Sequence, residues 1–182
     1  VVWHQNIGTD STYVYQNLAL NTTGADSANS DQFRNVDANT IQVRSPDSSN
    51  GKVNKSGDAY IAYVFSEVAG YSKFGSYTGN GSTDGTFVFT GFRPAWIMVK
   101  RTDSTGNWGI NDIKRDINTQ YGNDASLYAN TSGSETTSSS LNADLLSNGF
   151  KLRSNNSSYN GSGGTYIYLA FAESPFKYSR AR

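Results

Sequence analysis

The sequence predicts an all-β protein made of two tandem antiparallel β-sandwich repeats, jelly-roll-like, with little helix. Three observations predict it. One phrase occurs twice: "NKSGDAYIAYVFSE" from Asn54 to Glu67 and "NGSGGTYIYLAFAE" from Asn160 to Glu173 both fit N-x-S-G-x-x-Y-I-x-x-x-F-x-E. Apolar residues alternate in short runs, and turn-forming clusters rich in Gly, Asn and Ser separate those runs. Aromatics make up 13% of the 182 residues and there is no cysteine. Packing rather than disulfides must therefore hold many short strands together.

The repeat extends beyond that phrase. At an offset of about 105–109 residues, "LALNTTGADS" from Leu18 meets "LYANTSGSET" from Leu127, and "IQVRS" from Ile41 meets "FKLRS" from Phe150. Trp3 falls opposite Trp108. The units read as residues 1–70 for the first copy, 71–86 for a Gly-rich connection and 87–182 for the second copy. Before Trp108 stand two strand-like runs, "TFVFT" and "AWIMVKR", whereas only two residues precede Trp3. The first copy therefore lacks its leading strands, which are expected upstream in a longer polypeptide.

Taken in order, the first copy offers strands at "WHQNIG", "TYVYQNLAL", "TIQVRS" and "AYIAYVF". The second offers "TFVFT", "AWIMVKR", "NWGIND", "ASLYAN", "GFKLRS" and "TYIYLAF". In the repeated strand Ile61, Tyr63 and Phe65 share one face, matched by Ile167, Leu169 and Phe171. That larger and more apolar set is assigned to the core. Tyr60, Ala62 and Val64, like Tyr166, Tyr168 and Ala170, are assigned outward. Turns are read at "SSNGK", "TGNGSTDG" and "LSNGF", where Asn-Gly supplies positive φ. "LNADLLSN" fits a short helix or a turn equally well, and "GSETTSSS" is a polar loop. Tyr71 and Phe74 in the connection, matched by Phe176 and Tyr178, are expected to pin the exit segment to the sandwich.

Lys and Arg total 15, as do Asp and Glu. This balance removes the usual electrostatic attraction to nucleic acid or an anionic membrane. No apolar run approaches the ~20 residues of a membrane-spanning helix. The opening "VVWHQNIGTD" shows neither the basic nor the apolar region of a signal peptide. It has no initiator Met either, so the chain is expected to be processed or cut from something longer.

Catalytic signals are thin. His4 is the sole histidine, with Asp10 and Ser11 nearby, but no nucleophile elbow accompanies them. Glu67 and Glu173 lie one in each copy, whereas a glycosidase needs two carboxylates ~5–9.5 Å apart. Pairing with Arg44 and Arg153 is the simpler expectation. Asp31 and Asp37 sit in an Asn-rich loop that calcium could use, but the spacing fits no EF-hand. "GNGSTDG" lacks the lysine of a phosphate loop, and the charges of "VKRTD" read as a solvated edge. The chain is accordingly read as a non-enzyme without metal or cofactor. Tyr13, Tyr15, Tyr77, Tyr121 and Tyr159 lie in or near polar loops. Of these, Tyr77, Tyr121 and Tyr159 are the candidate glycan-binding residues, in competition with ordinary packing of an amphipathic ring. Asn-x-Ser/Thr triplets begin at Asn21, Asn54, Asn80, Asn130, Asn155, Asn156 and Asn160, a number that composition alone can produce.

The stretch "FGSYTGNGSTDGTFVFTGFRPAWIMVKRTDSTGNW", followed by "LLSNGFKLR" and "GSGGTYIYLAFAESPFKY", resembles a domain repeated in structural proteins of marine tailed phages, cyanophages and pelagiphages above all. The order G-F-x-P, K-R-T-D, N-G-F, T-Y-I-Y carries the resemblance through nearly the whole second copy. It implies a virion protein, part of a tail fibre or other appendage, that serves structure and attachment to the host surface. The implied partners are other virion proteins, further copies of itself (phage fibres are commonly trimers) and a host glycan or protein. Neither nucleic acid nor membrane insertion is implied, and no catalytic residue carries over. The rival readings are a lectin-like carbohydrate-binding module, a capsid decoration or filament subunit, and a glycan-degrading enzyme.

Overall fold

The computed structural model describes residues 1–7, 16–26, 33–37, 39–43, 53–115, 125–136 and 141–174. Their elements are β1 (Phe33–Val36), β2 (Ile41–Val43), β3 (Ser72–Thr78), β4 (Phe87–Phe89), β5 (Pro94–Arg101), β6 (Gly109–Asp112), β7 (Leu127–Tyr128), β8 (Ala143–Leu146), β9 (Gly149–Leu152), α1 (Ser157–Asn160) and β10 (Thr165–Ala172). The fold is all-β and antiparallel, with a single helical turn among the described residues. A five-stranded sheet runs β3-β10-β5-β6-β7 and a three-stranded sheet runs β4-β9-β8. β1 and β2 form a separate hairpin.

The two larger sheets share one core. Tyr77, Ile97, Val99, Tyr166, Tyr168 and Ala170 from the five-stranded sheet meet Val88, Ala143, Phe150 and Leu152 from the three-stranded one, with Tyr159 and Leu141 closing the ends. Three tyrosine rings organise this layer. Tyr77 stacks on Tyr166 with centroids 5.0 Å apart, and Phe150 stands edge-on to Tyr77 at 6.2 Å and to Tyr168 at 5.4 Å. Edge and offset contacts of this kind suit the ring quadrupole. Two of the hydroxyls find carbonyls: Tyr77 donates to Tyr159 and Tyr166 to Ser157, both at 2.6 Å.

The face assignment made from sequence is reversed here. Tyr166, Tyr168 and Ala170 point between the sheets, while Ile167 points to the opposite face with Met98 and Trp108. The physical reason is that β10 is a central strand covered on both sides, so size and apolarity cannot rank its faces. The second cover comes from the N-terminal half. Ile7 and Leu18 pack on Trp108 and Ile167, and Val2 and Leu18 exchange backbone hydrogen bonds. The Trp108 indole donates to the Ala19 carbonyl at 3.0 Å. Asp26 and Gly106 tie this cover to the sheet through Thr102 and Thr23.

The expected strand at "AYIAYVF" is absent. Residues 58–67 form no strand and pair with no described strand, and Ile61 is 82% exposed where Ile167 is 0%. "WHQNIG" forms a turn at Gln5–Asn6 rather than a strand. Residues 72–78, read as connection, are instead edge strand β3, paired along β10 from Tyr168↔Gly75 outward. "LNADLLSN" supplies β8, which turns through Ser147 and Asn148 into β9. Gly149 is there for space rather than for φ: a Cβ would lie 2.1 Å from the Val88 carbonyl oxygen.

Two local features recur in both halves. β1 and β2 pair Val36↔Ile41, and β8 and β9 pair Leu145↔Phe150, pairs that correspond at the repeat offset, although the paired strands leave four residues between them in the first hairpin and two in the second. At the start of the repeated phrase, Asp58 N–H donates to the Lys55 carbonyl, and Gly164 N–H to that of Gly161. The third residue of each turn is a left-handed glycine, Gly57 at φ 87° and Gly163 at φ 74°, as a type II turn requires. The same clamp follows: Lys55 N–H donates to the Tyr60 hydroxyl at 3.1 Å and Gly161 N–H to the Tyr166 hydroxyl at 2.8 Å.

Candidate functional site

Of the three candidate glycan-binding residues, Tyr77 is 8% exposed and Tyr159 1%. Both rings belong to the inter-sheet core, so neither offers a face to a sugar. The polar residues around them in sequence belong to loops, whereas the rings point inward. Tyr121 lies outside the described residues, as do Tyr13, Tyr15, Asp10, Ser11, Asp31 and Arg44.

The matched glutamates have unmatched partners. Glu67 holds Lys73 at 3.0 Å and accepts from the backbone N–H of Phe74 and the side chain of Gln5. Glu173 pairs with Arg93 at 3.3 Å. Arg153 does not reach Glu173. It binds Asp144 at 2.6 Å and Asp84 at 3.5 Å, and Lys151 joins Asp84 at 2.8 Å. The expected Arg153–Glu173 pair is thus replaced by a cross-sheet cluster, because Arg153 follows β9 directly and faces its neighbour β8. Asp37 accepts from Asn39 and Thr40 and closes the β1–β2 turn, and these bonds hold its carboxyl below its ordinary pKa. No group of three His, Cys, Asp or Glu side chains among the described residues is placed to hold a metal. No helix among them is long and apolar enough to cross a membrane.

Three buried polar side chains do structural work that the sequence did not announce. His4 accepts from the Asn6 backbone N–H at Nδ1, 3.1 Å, which leaves its proton on Nε2, 3.4 Å from the Tyr168 carbonyl. Burial lowers its pKa from 6.5, against the opposing pull of that carbonyl and the Glu67 charge. Lys100 is fully buried on the face covered by residues 16–26 and donates to the carbonyls of Arg101 at 2.6 Å and Thr23 at 3.3 Å. Burial brings its pKa down to about 8, with Asp26 and Asp103 resisting. Asn160, also fully buried, donates to Asn80 Oδ1, the Ser82 carbonyl and the Ser154 carbonyl, and accepts from the Asn80 backbone. It locks the loop between β3 and β4 against α1, which takes Asn160 out of the set of usable glycosylation triplets. Lys100 overturns the reading of "VKRTD" as a solvated edge, because its place near the end of an apolar strand puts it under the cover of residues 16–26. For Asn160 the only signal was its place at the head of the repeated phrase.

What stands exposed is the apolar run itself. Tyr63 is 82% exposed, Val64 67% and Phe65 58%. The run is anchored at both ends, by the Tyr60 clamp and by Phe65, whose ring lies 5.8 Å from Phe171 and 6.3 Å from Phe74. A contiguous exposed apolar run that pairs with no strand among the described residues has the physical character of a binding element. It is the best candidate for a functional surface on the described part of the chain.

No curated protein and no solved structure matches this sequence. A family model does, over residues 1–175, and the chain belongs to that family, the domain of unknown function DUF7483.

Proposed function

We propose that this chain is a structural module of a virion appendage, of the tail-fibre kind, made of two copies of one sandwich unit. The observation that carries the reading is the duplication. The repeated phrase, the corresponding hairpins at residues 33–43 and 143–152 and the twin clamps on Tyr60 and Tyr166 all fall in the same order. The ordered motifs shared with marine tailed-phage structural proteins point the duplication toward a fibre or appendage. A disulfide-free sandwich with balanced charge suits a part that must persist outside a cell, and repetition multiplies weak contacts with a host surface. The partners in this reading are neighbouring virion proteins, further copies of the chain and a host glycan or protein.

The test is location. Antibody raised against the chain should decorate the tail end of intact phage particles in electron microscopy, and peptides from it should co-purify with particles through a density gradient. Labelling over the head would favour a capsid decoration instead, and absence from particles would overturn both.

A further inference from the structure

We infer that the outer face of the three-stranded sheet is a binding platform for a neutral hexose glycan, with Phe87 and Phe89 stacking on sugar rings and the charged cluster around Asp84 binding hydroxyls. The inference deepens the appendage reading by naming the chemistry of a host-surface partner, and it rests on that reading for the host alone. Strand alternation builds the face. Val88, Ala143, Phe150 and Leu152 point into the core, so their neighbours along each strand point outward. Register sets those neighbours in two rows, Phe87↔Lys151↔Asp144 and Phe89↔Gly149↔Leu146. Phe87 is 42% exposed and Phe89 62%, and two positions along a strand place their Cα atoms about 7 Å apart. Both rings lean toward a glycine. A Cβ on Gly149 would meet Phe87 Cζ at 3.0 Å, and one on Gly91 would meet the Phe89 ring at 3.8 Å. Phe87 thus reaches diagonally across the strand pair and lies along the sheet, which turns a ring face rather than an edge to water.

Residues 59–66 carry no charged side chain that would name an occupant; here polar chemistry beside the rings does. Asp84 Oδ1 holds Lys151 at 2.8 Å and Arg153 at 3.5 Å, and Arg153 holds Asp144 at 2.6 Å. The Asp84 side chain is 81% exposed, and its Oδ2 bonds to none of the described residues. Its loop is already set. The Asp84 N–H donates to Ser82 Oγ and its carbonyl accepts from Asn80, while buried Asn160 bonds to both Asn80 and Ser82. A ligand therefore finds the carboxylate in place and does not spend affinity on ordering it. Sugar hydroxyls can accept from the spare ammonium protons of Lys151 and donate to Asp84, while the C–H face of the same sugar covers a ring. Charge selects against other ligands of aromatic platforms. Two cations and two anions cancel in this cluster, so a phosphate backbone finds no net attraction. A quaternary ammonium ion would need a cage of rings rather than a flat row. A second copy is a poorer occupant, because protein packed on this face would take all four charges out of water.

The test is NMR on the whole 182-residue chain, reading the phenylalanine ring signals as tetrasaccharides of glucose, galactose and mannose are added, with heparin as the anionic probe. The Phe87 and Phe89 signals should shift with at least one neutral tetrasaccharide, at a Kd of about 1 mM or tighter. Phe89→Ala and Asp84→Ala should each weaken that binding by about tenfold or more, and Phe89→Tyr, which keeps the ring, should retain it. Both truncated side chains are exposed, and unchanged β10 amide shifts would show that the sheets persist. Unmoved ring signals with all three sugars, or binding that Phe89→Ala leaves intact, would overturn the inference. So would binding of heparin alone that salt abolishes, which would make the face an electrostatic site. Ring shifts that grow with protein concentration in the absence of sugar would name a second copy as the occupant and overturn it too. Sugar binding is read on the purified chain and particle labelling on the phage. Labelling without sugar binding would sink only the platform, and sugar binding without labelling only the appendage reading.

Discussion

At the scale of single residues, the buried ionisable groups fix how stability depends on pH. His4 has a folded pKa below its ordinary 6.5, so as pH falls through that value the unfolded chain binds the proton first and stability drops. Protonation would also set an N–H at Nδ1 against the Asn6 N–H that now donates to it. Lys100 obeys the same sign at higher pH. Its folded pKa is about 8 against an ordinary 10.5, so stability should rise between those values as the unfolded state loses its extra proton. The rise should be roughly 1–3 kcal/mol, the lower figure allowing for screening where water reaches the amine. Tyr77 and Tyr159 oppose it near the top of the range, because burial raises their pKa values and the unfolded chain ionises first above pH 10. Urea midpoints should therefore fall below pH 6.5, climb from pH 8 and turn down again past 10. His4→Gln should flatten the acid limb and Lys100→Met the climb, and a profile unchanged by both would refute the assignment.

At the scale of elements, the edge strand β3 sets two effects against each other. Gly75 lies opposite Tyr168, and a Cβ there would sit 2.8 Å from the tyrosine ring and hydroxyl. Strand propensity alone favours Gly75→Ala by about 0.5–1 kcal/mol. Overpacking against a ring held between two sheets costs about 1–3 kcal/mol. The second effect should win, because Tyr168 is wedged by Phe150 and has little room to retreat. A loss of stability in chemical denaturation is expected; a gain would mean that the ring moves freely. The same strand shows what was legible in the sequence. Runs such as "AWIMVKR" and "TYIYLAF" were read correctly as strands because alternation and β-branched or aromatic residues signal them locally. β3 was missed because Gly75 looks like punctuation, whereas it is space for a partner's ring. "AYIAYVF" was overread because pattern records what a segment can pair with, not whether the partner is present. Tyr77 and Tyr159 were misplaced for a related reason: loop-like neighbours say nothing about which way a ring turns.

At the scale of the whole molecule, the question is whether the N-terminal half folds with the sandwich or beside it. Ile7 and Leu18 are 4% and 1% exposed against Trp108 and Ile167, and the Trp108 indole bonds to Ala19. These contacts join the covering segments to the central strand, where a separable unit would leave Ile167 facing water. Leu18→Ala should therefore cost about 2–4 kcal/mol in the unfolding of the sandwich itself, and Trp108 emission should report it because the indole forms one wall of the resulting cavity. Leu18 and Ile167 share that wall, so a cycle of Leu18→Ala with Ile167→Val should show a coupling energy of about 0.5 kcal/mol or more, beyond what distant sites give. Additive effects, or an early transition in which residues 1–26 detach while the sheets persist, would mean that the cover is a loosely held flap. A single coupled transition instead makes the central sheet the shared body of both halves, so that strain applied to one would be transmitted through β10 to the other.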